Sequence, residues 1–183
     1  SADLVIPSNV HLHFKKGGKL SPADGITLTV NGSVSAGPWQ IFGVSGTLIG
    51  PIKNDVIYST WFGDYLSRAI DIAGTNNKTI KILSPVIIHS SITIPNNIEL
   101  DFARNGRLYA NSGVTVTLNC GIRTGAWQIF DGEGTFTGDP IVDAVYPEWW
   151  GAVGDGVTDD TKALQSAADF CFKPIGVKPD AKI

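Results

Sequence analysis

The chain has 183 residues, a net charge of -3, 43% hydrophobic residues and 21 glycines. That length suits one ordinary domain or two small ones. Phosphate binding needs clustered Lys and Arg, which this chain lacks, so a nucleic-acid partner is not expected. The apolar stretches are short and broken by polar residues, so no membrane insertion is expected either. The chain opens Ser1-Ala2-Asp3 and contains no Met. A removed signal peptide leaves that pattern, as does a cleaved expression tag; the expectation is a secreted protein, extracellular or on a cell surface.

Along the chain, Val10, Leu12 and Phe14 alternate with His11, His13 and Lys15, and Ile26, Leu28 and Val30 alternate with Thr27 and Thr29. A period of two puts apolar side chains on one buried face of a strand. Trp39-Gln40-Ile41-Phe42 follows, then Asp64 and a helix-forming run from Tyr65 to Ala73. Ile80, Ile82, Val86, Ile88, Ile92 and Ile94 mark further strands within Lys78 to Ile94. The pattern then returns. Ile98, Leu100 and Phe102 alternate with Glu99, Asp101 and Ala103, and Val114, Val116 and Leu118 with Thr115 and Thr117. Trp127-Gln128-Ile129-Phe130 repeats the earlier tetrapeptide 88 residues on, and Tyr58, Trp61 and Gly63 recur as Tyr146, Trp149 and Gly151 at the same offset. After Asp159 and Asp160, good helix N-caps, a second helix runs from Thr161 to about Phe170. Its leading loop is about six residues longer than the first.

Gly, Asn, Pro and Asp clusters separate the short strands, as tight corners require. Short strands with spaced corners and an internal repeat suit a solenoid, in which each coil buries its face on the next. The expected fold is mainly β: parallel β-helix modules in two tandem copies, each with a short capping helix. The first copy spans residues 1–73 and the second 74–183.

Trp150-Gly151-Ala152, Gly154-Asp155-Gly156 and Asp159-Asp160-Thr161, followed by Ala163-Leu164-Gln165-Ser166-Ala167, resemble a known motif. It marks the amino-terminal end of the pectate-lyase-like, right-handed parallel β-helix superfamily, which includes phage tailspikes and glycoside hydrolase 28-related enzymes. The resemblance implies a right-handed solenoid. It also implies that catalytic groups lie on coils downstream of the motif, where this sequence offers no matching position. The expectation is therefore no catalytic residue, no cofactor and no metal: not an enzyme.

Each candidate site has a structural explanation. Asp155, Asp159 and Asp160 resemble paired acids, but capping and turn formation account for them, together with Gly154 and Gly156. His11 and His13 share a strand face with no third ligand placed beside them. Trp39, Trp127, Trp149 and Trp150 suit core packing as well as sugar stacking. Cys120 and Cys171 leave one disulfide or two thiols open.

The phase of the repeat suggests assembly. The first sheet lacks a lead-in strand and the second helix lacks a sheet after it. An open solenoid end invites strand addition, and a non-closing head-to-tail contact builds a filament. The leading expectation is a non-catalytic structural protein whose partners are copies of itself. In it Ala163, Leu164, Phe170, Val177 and Ile183 of one subunit complete the sheet around Leu4, Ile6, Val10, Leu12 and Phe14 of the next. The alternatives are the amino-terminal part of a tailspike-like or polysaccharide-degrading β-helix protein, or a carbohydrate-binding module with polysaccharide as partner.

Overall fold

The computed structural model describes residues 2–171; Val177 and Ile183 lie outside them. The chain begins with five strands: β1 (Leu4–Ile6), β2 (His11–His13), β3 (Thr27–Val30), β4 (Ser33–Ser35) and β5 (Thr47–Ile49). After β6 (Val56–Tyr58) come a 3-10 turn, Ser59–Phe62, and helix α1 (Leu66–Ala73). Nine strands follow: β7 (Lys78–Ile82), β8 (Pro85–Ile88), β9 (Ile92–Ile94), β10 (Ile98–Phe102), β11 (Arg107–Ala110), β12 (Thr115–Leu118), β13 (Gly121–Arg123), β14 (Phe130–Gly132) and β15 (Thr135–Gly138). A second 3-10 turn, Pro147–Trp150, and helix α2 (Thr161–Cys171) complete the described chain.

Every strand pairing among these residues is parallel, and partners lie 20 to 24 residues apart. Parallel neighbours need a long crossover; here the rest of a coil provides it. The fold is a parallel β-solenoid with walls β6-β7-β10-β13, β8-β11-β14 and β9-β12-β15, preceded by β1-β3-β5 and β2-β4. The period of two works as expected. Ile80 stands beside Leu100 and Leu100 beside Ile122, stacking apolar side chains coil on coil. Outside, Thr93, Thr117 and Thr137 form a row, one per coil. Burying each Ile, Leu or Phe in such a stack contributes roughly 1.5–3 kcal/mol.

The helices explain how the repeat is built into one body. Helix α1 lies on β5, with Leu66, Ala69, Ile72 and Ala73 buried. Its last turn comes so close that the Ile72 carbonyl, which accepts the Ile52 N–H at 3.1 Å, occupies the space a side chain on Gly50 would need. Glycine is the residue that allows such an approach. Strand β5 therefore has no strand partner on its far side, and β6-β7 is the strand pairing that joins the two copies. A single buried core nonetheless runs from Leu28 to Phe170. The described chain is one parallel solenoid with two short helices.

Candidate functional site

The repeated tetrapeptide builds the same corner twice. The Trp61 carbonyl accepts the N–H groups of Ile41 and Phe42 at 3.0 and 2.9 Å, and the Trp149 carbonyl accepts that of Ile129 at 3.0 Å. The Trp61 indole N–H donates to the Gly37 carbonyl at 2.9 Å, and that of Trp149 to Gly125 at 3.2 Å. Trp39 and Trp127 lay their rings over Gly37 and Gly125, where a Cβ would collide with them. Trp61 and Trp149 are buried, while Trp39, Trp127 and Trp150 are half-buried against the core. Trp61 and Trp149 thus pack inside the core, and Trp39, Trp127 and Trp150 lie against its edge.

The acidic loop before α2 is held by its own carboxylates. Asp160 accepts the N–H groups of Val153 and Gly154 at 2.9 and 2.8 Å. Asp155 accepts those of Val157 and Thr158, and the Thr158 hydroxyl, at 2.7 to 2.9 Å. Asp159 accepts the Thr161 N–H at 3.0 Å. Gly154 and Gly156 turn through φ of 68° and 74°, a left-handed conformation that side chains disfavour. The Thr158 N–H, then the other donors around it, hold the Asp155 carboxyl below its usual range, and the Thr161 hydrogen bonds do the same for Asp159. Hydrogen bonds of this kind favour the charged form of both carboxylates.

Between this loop and the β14–β15 corner lies an open cleft of about 410 Å³, whose rim carries Asp131, Glu133, Asp159, Asp160, Asp169 and Lys162. Under it, Phe130 sits among Phe136, Trp149, Trp150 and Phe170, with ring centres 4.5 to 6.2 Å away.

Sequence reasoning missed the charged rows on the outer walls. Lys81 pairs with Asp101 at 3.4 Å, Arg123 with Glu99 at 3.0 Å and Arg107 with Asp131 at 3.2 Å. The Thr79 hydroxyl also donates to Glu99, at 3.1 Å. The signal was available: opposite charges separated by one coil. Glu99 and Asp101 share the outer face of β10 because they are two residues apart.

The geometry also bears on the cysteines, the histidines and the residues expected at a subunit contact. Cys120 and Cys171 are both free thiols, the first buried, the second exposed. Burial pushes the Cys120 pKa up to about 12, which keeps it inert as a nucleophile. His11 is held by the Ser33 hydroxyl at 2.8 Å. Among the described residues no three His, Cys, Asp or Glu side chains group to hold a metal ion, and no helix is long and apolar enough to cross a membrane. Of the residues assigned to a subunit contact, Leu4 is exposed, and Ile6, Val10, Leu12 and Phe14 are half-buried at the open amino-terminal end. Ala163 and Phe170, however, are buried within their own chain, Phe170 against Trp150 at 5.2 Å, and Leu164 alone of that helix set is exposed. The apolar face of α2 is covered without a second subunit, and the filament reading gains no support.

No family model and no solved structure matches the chain. Over 40 residues it is 50% identical to the capsule K30/K69-specific depolymerase of Klebsiella phage K64-1, covering 20% of this chain and 5% of that protein. The chain resembles tailspike-like β-helix proteins. The chain spans 5% of the length of the relative it matches. This match overturns the expectation that the chain is not an enzyme, because the relative is a depolymerase. The motif at Trp150–Thr161 marks one end of the fold and leaves the positions of catalytic groups elsewhere open. The likeness points instead toward β-helix proteins that degrade polysaccharide.

Proposed function

We propose that the chain is the leading segment of a tailspike-like, right-handed β-helix protein that depolymerises a capsular polysaccharide and works outside the cell, where such a glycan lies. The observation that carries this reading is the 40-residue likeness to a phage capsule depolymerase, in a chain that folds as a parallel solenoid. In the same reading the two copies arose by tandem duplication of one unit.

Breaking a glycan chain by hydrolysis calls for two carboxyl groups facing one sugar, one supplying a proton and one assisting attack. Carboxyl groups are concentrated along the cleft beside the β14–β15 corner, where Asp131, Glu133, Asp159, Asp160 and Asp169 lie. Incubation of the full chain with purified capsular polysaccharide is expected to release new reducing ends. Failure of the chain both to release ends and to be retained in a gel containing the polysaccharide would overturn the proposal.

A further inference from the structure

Among the described residues Lys78 is the only charged side chain that is buried, at 6% exposure. A buried cation is costly unless an anion or hydrogen-bond acceptors meet it. Its ion-pair partner, Asp55, stands at 3.9 Å with a side chain 97% exposed. That distance is beyond hydrogen-bond reach, and exposed carboxylates hold such pairs weakly. Among the described residues the Lys78 ammonium has no hydrogen-bond acceptor.

The strand pattern explains how the side chain comes to be there. Along β7 Lys78, Ile80 and Ile82 are buried, while Thr79 and Lys81 turn outward. Lys78 takes the first inward position and lies beside Ile98 on the next coil. Its apolar stem fits that stack and carries the charge to the corner of the coil.

At that corner, where β7 and β10 begin, lies an open cavity of about 500 Å³. Lys78 lines it together with Asp55, Asn77, Asn96, Asn97 and Glu99. Two of these are already engaged. The Asn97 amide donates to the carbonyls of Gly74 and Asn76 at 3.1 and 2.8 Å, and Glu99 is held by Thr79 and Arg123. Asn77 and Asn96 are exposed, and their side chains make no hydrogen bond among the described residues. Ile98 and Ile141 give the cavity an apolar side. It therefore presents a poorly compensated cation, two unengaged carboxamides and an apolar wall.

We infer that this cavity binds the carboxylate of an acidic sugar, a hexuronate unit, with Lys78 as its anchor. The oxyanion meets the ammonium through a charge-assisted hydrogen bond. The carboxamides of Asn77 and Asn96 can each donate to and accept from ring hydroxyls. The C–H face of the ring lies toward Ile141. The inference rests on the depolymerase reading for the ligand's being a sugar; the carboxylate follows from Lys78 and the cavity. The two fail separately, because binding of a monosaccharide is read without any cleavage.

Chemical-shift titration of the full chain with sodium glucuronate, glucose and sodium acetate at fixed ionic strength tests it, read at the backbone amides of Asn77, Lys78 and Ile98. Glucuronate is expected to bind ~10-fold or more tightly than glucose, the size of one hydrogen bond to a charged group, and more tightly than acetate. Lys78→Met keeps the buried stem and should erase the preference over glucose. Asp55→Asn changes an exposed side chain and should tighten glucuronate binding, since a competing carboxylate is gone. Equal binding of glucuronate and glucose by the native chain would overturn the inference, as would an Asp55→Asn variant that binds glucuronate no better. Acetate that binds as tightly as glucuronate would overturn the sugar acid as the ligand.

Discussion

Ala69 and Ala163 hold matching buried positions on the two helices, as do Ala73 and Ala167, which makes Arg68 and Lys162 counterparts. The offset there is 94 residues, against 88 along the strands, so the loop before α2 is six residues longer than the one before α1. Arg68 reaches down to the β5 corner. Its guanidinium donates to the carbonyls of Val44, Ser45 and Gly46 at 3.0 to 3.2 Å, closing the first junction. Lys162 stays exposed on the rim of the acidic cleft, and the second junction is open. The first junction is sealed by Arg68, and the second is held by carboxylates in its own loop. The planar guanidinium can satisfy three carbonyls at once, which a lysine at that place does not.

The comparison is broken most severely by removing the rings beneath the helices. Phe42 stacks on Phe62 at 5.5 Å, and Phe130 is held by Phe136, Trp149, Trp150 and Phe170. Both phenylalanines are fully buried. Phe42→Ala and Phe130→Ala are each expected to cost about 3–5 kcal/mol, read by chemical denaturation. If the copies act as one cooperative core, each variant unfolds in a single transition. Two transitions in either variant would show two separately folding regions.

Arg68→Ala comes next, at about 1.5–3 kcal/mol, the range for hydrogen bonds from a charged donor. Lys162→Ala should stay within ~0.5 kcal/mol, as for most exposed substitutions. Equal costs at the two positions would mean that the joints are the same after all.

Much of this architecture is legible in the sequence. The alternation of Ile98, Leu100 and Phe102 with Glu99 and Asp101 marks β10, and the recurring Trp-Gln-Ile-Phe marks two like corners, because both signals are local. The role of α1 is not legible. That it separates β5 from the following coils, leaving β6-β7 as the strand link, follows from packing between distant segments. Phe170 reads as an apolar residue free to meet a neighbour, but it finds Phe130 and Trp150 forty and twenty residues earlier in its own chain. Glu99 and Asp101 read as the solvated face of a strand. Their partners, Arg123 and Lys81, become visible only when the coil length is known.

Acid provides the smallest and most discriminating contrast, because the carboxylates of the two junctions are shifted in opposite directions. In the first, burial raises the pKa values of Asp64 and Asp71 above 3.8, against the lowering effects of the Ser59 hydrogen bond and of Arg68. A folded state that binds a proton more tightly than the unfolded chain gains stability as pH falls through the raised value, a gain complete below 3.8. In the second, hydrogen bonds lower Asp155 and Asp159 below 3.8, so their contribution is present above that value and lost as pH falls through the lowered ones. Acidification should therefore first tighten the joint under α1 and afterwards loosen the loop before α2. Thermal unfolding across this range, repeated with Asp64→Asn and with Asp155→Asn, separates the two. Asp64→Asn should reduce the gain above 3.8 to the share of Asp71 and leave the acid limb, while Asp155→Asn should reduce the acid limb to the share of Asp159 and leave the gain. If both substitutions altered the same limb, the opposed shifts would be wrong and the two joints would titrate as one.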